Sequence, residues 1–183
     1  KKNKRKIIRR AAFDIGSGST KIQCSDYEYY NNNKERKEEE EEVERERRSG
    51  KLLDIIFSEE RPIAFGTDYL NSKDGNLSEE IQLKGLETLK ELKEKAETYN
   101  TIQFTAIATE VFRKAKNGLN YLERVKLLGI EVVLISQDLE AELGYQTALI
   151  DSKCNEDSIC VWDSGGSSFQ IITKISNNNN NNN

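Results

Sequence analysis

The sequence predicts an α/β fold built on a mixed sheet: a three-strand meander, then helices alternating with strands, then a further β-hairpin. Two observations predict it. Short apolar or alternating runs recur at Ala11–Asp14, Thr20–Ser25, Leu52–Phe57, Thr101–Ala108 and Ile130–Ile135, with helical periodicity between the later ones. The stretch VWDSGGSSFQI near the end also repeats AAFDIGSGSTKI near the start. Each copy has an apolar strand ending in Asp, a Gly/Ser turn and a returning strand, and such a repeat predicts two facing lobes with a cleft between them.

The elements follow in order. Ala11–Asp14 reads as a buried strand and Thr20–Ser25 as its alternating hairpin partner. Residues 26–50 are low in complexity and rich in both signs of charge, which marks a solvated insertion in a loop. Leu52–Phe57 returns to strand character. Leu77–Tyr99 is a helix: Ser78 is placed to cap it, Glu79 and Glu80 fall in its first turn, and Ile81, Leu86, Leu89, Leu92 and Ala96 share a face. After the strand at Thr101–Ala108 come short helices at Val111–Lys116 and Leu119–Leu128, the second closed by Gly129. Ile130–Ile135, IEVVLI, reads as an apolar strand of the sort buried in a parallel sheet. Asp138–Ile150 reads as a helix, and Ser158–Trp162 with Ser168–Lys174 as the last hairpin. By this scheme residues 1–10 are a basic flank, 11–155 one lobe, 156–176 the first hairpin of a second lobe, and the asparagine run 177–183 a disordered tail.

Composition narrows the chemistry. The 183 residues carry 28 basic and 32 acidic side chains, net −4. Seven of the bases lie in the first ten residues, so the folded part is markedly acidic, which argues against specific or nonspecific nucleic-acid binding. There is no histidine, and three cysteines stand far from any C-x-x-C spacing, which excludes His-based catalysis and the common zinc sites. An odd, small cysteine count points to reduced thiols in the cytosol or nucleus, and a cytoplasmic setting is expected. No apolar run approaches a membrane span. The first residue is Lys and Met is absent, so the chain is expected to be an excerpt of a longer protein.

The Gly/Ser turn after Asp14 admits two explanations. It is either an ordinary hairpin turn, for which Gly and Ser are suited, or a cradle whose backbone N–H groups approach phosphate while the carboxylate holds a divalent cation through water. The second copy, with Asp163, Gly165, Gly166 and Ser168, favours a two-sided clamp. Arg113 follows a strand and can fork onto a phosphate, or can be a surface Arg beside Lys114 and Lys116. Glu140 opens a helix after a strand, where open sheets collect ligands, although Asp138, Glu140 and Glu142 also simply complement a helix dipole.

Four stretches, FDIGSGSTKI, IATEVFRKAKNG, GIEVVLISQDLEAELGY and VWDSGGSSFQIIT, resemble in order and spacing the exopolyphosphatase/guanosine pentaphosphate phosphohydrolase (Ppx/GppA) family over about residues 11–175. That resemblance implies the actin-like ATPase (ribonuclease H-like) superfold. It also implies Mg²⁺-assisted release of terminal phosphate from polyphosphate or a pppGpp-type nucleotide, a homodimer, and no membrane partner. Carried over by position, Asp14 and Asp163 hold or orient the metal, and Gln170 stands where the family has a Glu beside it. Gly16, Ser17, Gly18, Ser19 and Thr20 cradle phosphate, as do Gly165, Gly166, Ser167 and Ser168. Arg113 binds the phosphate being cleaved and Glu140 is the base for the attacking water.

Three departures bear on activity. Gly18 replaces an Asn, Phe169 a Thr and Gln170 a carboxylate, which lowers the site's charge and should weaken Mg²⁺. A degenerate phosphate- or nucleotide-sensing module therefore remains open, as does an ATPase or sugar kinase of the same superfold. The chain ends soon after the second turn, so this excerpt alone is expected to be inactive.

Overall fold

A computed structural model of the chain describes residues 5–30, 51–151, 159–165 and 169–173. The charged insertion lies almost wholly outside these residues, as do Gly166, Ser167, Ser168 and the asparagine tail.

Five strands form one sheet: β1 (Arg5–Ile15), β2 (Ser19–Tyr30), β3 (Lys51–Pro62), β4 (Gln103–Ala108) and β5 (Glu131–Leu134), in the spatial order β3-β2-β1-β4-β5. β1, β2 and β3 pair antiparallel, while β4 lies parallel to β1 and β5 parallel to β4. A meander extended by two parallel crossovers is the topology expected of an actin-like lobe. The helices are α1 (Phe65–Asn71), α2 (Glu79–Glu97), α3 (Glu110–Lys114), α4 (Gly118–Leu127) and α5 (Gln137–Asp151). A separate hairpin, β6 (Cys160–Ser164) with β7 (Phe169–Thr173), packs against α5.

The period of two divides the inner strands, broken in β2 by a register shift at Cys24/Ser25 where both residues are buried. Ala11, Phe13 and Ile15 of β1, Ile22 and Cys24 of β2, Ala106 and Ala108 of β4 and Val132 of β5 are buried toward the helices. Ala12, Asp14, Lys21, Glu60, Ile107 and Val133 line hollows on the other face. The core is therefore one-sided. Leu89, Leu92 and Ala96 of α2 close it, each leucine stabilising by roughly 1.5–3 kcal/mol of buried apolar area. Phe65, Phe112 and Tyr121 form a ring cluster with centroids 5.0–5.3 Å apart that binds α1, α3 and α4 together.

Local chemistry sets the ends. Ser78 Oγ accepts from Ile81 N–H (3.3 Å) at the start of α2, as its sequence position predicts. Gly129, in the left-handed region at φ 75°, ends α4. Two elements differ from expectation. β1 begins at Arg5, inside the basic flank, because β2 continues to Tyr30 and supplies partners: the Arg9 guanidinium forks onto both Asp26 oxygens at 2.8 Å. And α1 occupies a stretch with no helical prediction.

Candidate active site

The β1–β2 turn is held by its own backbone. Gly16 N–H donates to Ser19 O (2.9 Å), and a Cβ on Gly16 would stand 3.2 Å from that same oxygen. Ser17 O accepts from Gly66 N–H of α1 (2.7 Å) and Gly18 O from Ile63 N–H (3.0 Å). The carbonyls are thus pulled toward the core. The Ser17 and Gly18 N–H groups meet no backbone acceptor among the described residues, the polarity an anion cradle needs.

A cavity of about 550 Å³ opens over this turn at the C-terminal edge of β1, β4 and β5. Asp14 and Gly16–Ser19 form one wall, and Asp163, Ser164 and Gly165 of the hairpin face them. Glu140, Gly144 and Thr147 of α5 close the side between. A larger hollow of about 1040 Å³ runs along the open sheet face and meets the cavity through Asp14, Lys21, Glu60 and Ile107. It is floored by strand side chains, without a turn or helix terminus, so the smaller cavity is the candidate site.

Glu140 is placed by the start of α5. Ser136 caps that helix, its Oγ accepting from Leu139 N–H (3.1 Å) and its carbonyl from Glu140 N–H (3.0 Å). The Glu140 Oε2 accepts from Arg113 Nη2 at 3.0 Å, and Arg113 Nη1 donates to Ile135 O at 2.7 Å. The pair is largely shielded, with side-chain exposures of 22% and 17%. Asp163 lies against α5: a Cβ on Gly144 would come 3.3 Å from its Oδ2. The Asp14 carboxyl is pushed above its ordinary value, chiefly by burial. Lys21 opposes that shift, and the negative charges of Glu140, Asp163 and Glu60 add to it.

The structure brings together Asp14, Gly16, Ser17, Gly18, Ser19, Glu140, Asp163 and Gly165 around one cavity. Three other predicted residues lie elsewhere. Thr20 is fully buried on the helix-covered face, because successive strand residues point to opposite sides and residue 21, not 20, faces the cavity. Arg113 sits behind Glu140 and is not on the cavity wall. Gln170, the cross-strand partner of Asp163, is buried with its Nε2 unpaired, off the cavity lining. Gly166, Ser167 and Ser168 fall outside the described residues. Sequence reasoning missed Lys21 and Glu60. Both belong to the row Asp14–Lys21–Glu60 across β1, β2 and β3, and only the register reveals it.

The family described as Ppx/GppA phosphatase matches residues 43–181, most of the chain. The chain belongs to that family. A crystal structure of the Aquifex aeolicus Ppx/GppA family member is similar with a TM-score of 0.65 and 29% identity, over 91% of this chain and 47% of that one. An exopolyphosphatase from Cytophaga hutchinsonii gives 0.65 at 22% identity, over 92% and 47%. An exopolyphosphatase-like protein gives 0.63 at 18%, over 90% and 44%. These last two support the actin-like fold. No curated protein matches the chain by sequence. The chain spans about half the length of the solved Ppx/GppA structures. No helix among the described residues is long and apolar enough to cross a membrane.

Proposed function

We propose that the protein, at full length, is a phosphohydrolase releasing terminal phosphate from inorganic polyphosphate or a pppGpp-type nucleotide. One observation carries the proposal: the Asp14 turn, the Asp163 turn and Glu140 converge on a single cavity. The N–H groups of Ser17 and Gly18, which meet no backbone acceptor among the described residues, are available to phosphate oxygens. Glu140 stands at the cavity edge, where a carboxylate can orient a water and take its proton. Positioning and charge neutralisation are the main demands of phosphoryl transfer.

Charge balance points to a cation. Asp14, Glu60, Glu140 and Asp163 all line the cavity, with Lys21 set against them. An anionic substrate meets repulsion there unless a cation intervenes. Burial is the chief cause of the raised Asp14 carboxyl, and the smaller part its acidic neighbours add is the same excess of negative charge, seen from one residue. These hard oxygen donors suit Mg²⁺. Among the described residues no three carboxylates close around one point, so Asp14 and Asp163 would hold the ion with water completing its shell. When bound, Mg²⁺ neutralises charge on the phosphate oxygens.

The test is phosphate release by the full-length protein from polyphosphate and from a pppGpp-type nucleotide, with and without Mg²⁺. The expected result is Mg²⁺-dependent release that Glu140→Gln lowers by about 10²-fold or more. Release undiminished in that variant would remove Glu140 as the base. Gln170 favours a second reading, a sensor that binds without turnover, because it substitutes an amide for the family's carboxylate. Binding of either substrate with no phosphate release would establish it.

A further inference from the structure

We infer that Arg113 is a positioning residue for Glu140, setting the carboxylate's place in the cavity rather than gripping the substrate. The inference rests on the reading of Glu140 as the base and deepens it.

The geometry is that of a bracket. Arg113 belongs to α3, which follows β4, and Glu140 to α5, which follows β5. One arm of the guanidinium, Nη1, donates at 2.7 Å to Ile135 O, a carbonyl just beyond the end of β5. The other, Nη2, donates at 3.0 Å to Glu140 Oε2. The backbone joins the two crossovers as well, since Ile135 N–H donates to Ala108 O at 3.1 Å. A rigid planar fork thus fixes the carboxylate relative to the loop that launches its own helix.

The approach is from behind. Ile135 and Glu140 line the cavity and Arg113 does not. Glu140 Oε1 accepts no hydrogen bond among the described residues, which leaves that oxygen for a water. The neighbouring Lys114 pairs with Glu110 and lies exposed, so it does not duplicate the bracket. A lysine at 113 would bring a single point charge to one of the two acceptors and lose the fork. Displacing a catalytic group by about 1 Å costs roughly 10²-fold in rate.

The experiment uses the full-length protein with Arg113→Lys and Arg113→Gln, each in the wild-type and in the Glu140→Gln background, with melting temperature recorded. Positioning predicts kcat lower by roughly 10- to 100-fold with KM within about twofold. It also predicts no further loss of residual kcat when Arg113→Lys is added to Glu140→Gln, because the bracket acts only through the carboxylate. Substrate binding to the slow Glu140→Gln protein should be unchanged by Arg113→Lys. A dissociation constant raised about tenfold or more there, or a raised KM with kcat intact, would make Arg113 a substrate contact and overturn the inference. Full activity of Glu140→Gln itself would instead sink the base assignment, whatever Arg113 does.

Discussion

Asp14 and Lys21 are cross-strand partners at the mouth of the cavity, and Lys21 is in turn the partner of Glu60 on β3. The lysine is therefore set between two acids in a row across the sheet. Its charge works against burial and the neighbouring acids in setting the Asp14 carboxyl. Replacing it with methionine keeps the stem and removes the charge. The Asp14 carboxyl is then expected to titrate higher than in the wild type, followed by carboxyl-carbon NMR. An unchanged titration would show that Lys21 is too well solvated to act on it.

A raised carboxyl has a consequence for stability. Asp14 binds its proton more tightly folded than unfolded, where the ordinary value is about 4. Its contribution is therefore most favourable below that value and is lost as pH rises through the raised folded value. Asp14→Asn should accordingly melt higher than wild type at pH 7 in the absence of divalent cations. The advantage should vanish at low pH, where both side chains are neutral. Thermal unfolding across pH 3–8 reads this directly, and a variant less stable at pH 7 would contradict it.

How far this could be foreseen depends on distance along the chain. Features whose cause lies within a few residues were legible: the Ser78 cap, the Gly129 stop and the hairpin turn after Asp14, and β5 was legible as a strand although its Glu131 and Val133 are exposed. The convergence of Asp14, Glu140 and Asp163 was legible through their resemblance to a family pattern. Features caused by distant partners were not. β1 extends through charged residues because Asp26 neutralises Arg9, and α1 forms after Pro62 without a capping side chain and with Gly66 inside it. The face on which Thr20, Lys21 and Glu60 fall follows from strand register, and the Arg113–Glu140 bracket from the juxtaposition of two crossovers.

Gly85 tests the packing beneath the site. A Cβ there would stand 2.5 Å from both Phe65 Cζ and Tyr121 OH, inside the ring cluster. Both rings are fully buried, so neither can swing into solvent. Gly85→Ala gains about 1 kcal/mol of helix propensity against an overpacking cost of about 1–3 kcal/mol. A net loss is expected, read as a lower urea midpoint at unchanged slope. A higher midpoint would show that α2 can slide away without cost.

Gly144 separates the site from the fold. It lies one helical turn beyond Glu140 on α5, and the Asp163 carboxylate lies beside the position its Cβ would take. At 3.3 Å from Oδ2 an added methyl is tight, and Asp163 must yield by a few tenths of an ångström. The helix itself gains from the substitution, by up to about 1 kcal/mol. Gly144→Ala should therefore keep or raise the melting temperature while displacing the Asp163 carboxylate. If those two carboxylates share a hydrated Mg²⁺, the concentration needed for half-maximal phosphate release should rise several-fold, since small displacements around metal ligands weaken metal affinity. Parallel titrations of Mg²⁺ and temperature on the full-length variant decide the matter. An unaltered Mg²⁺ requirement with an intact fold would mean that Asp163 is not one of the groups holding the ion.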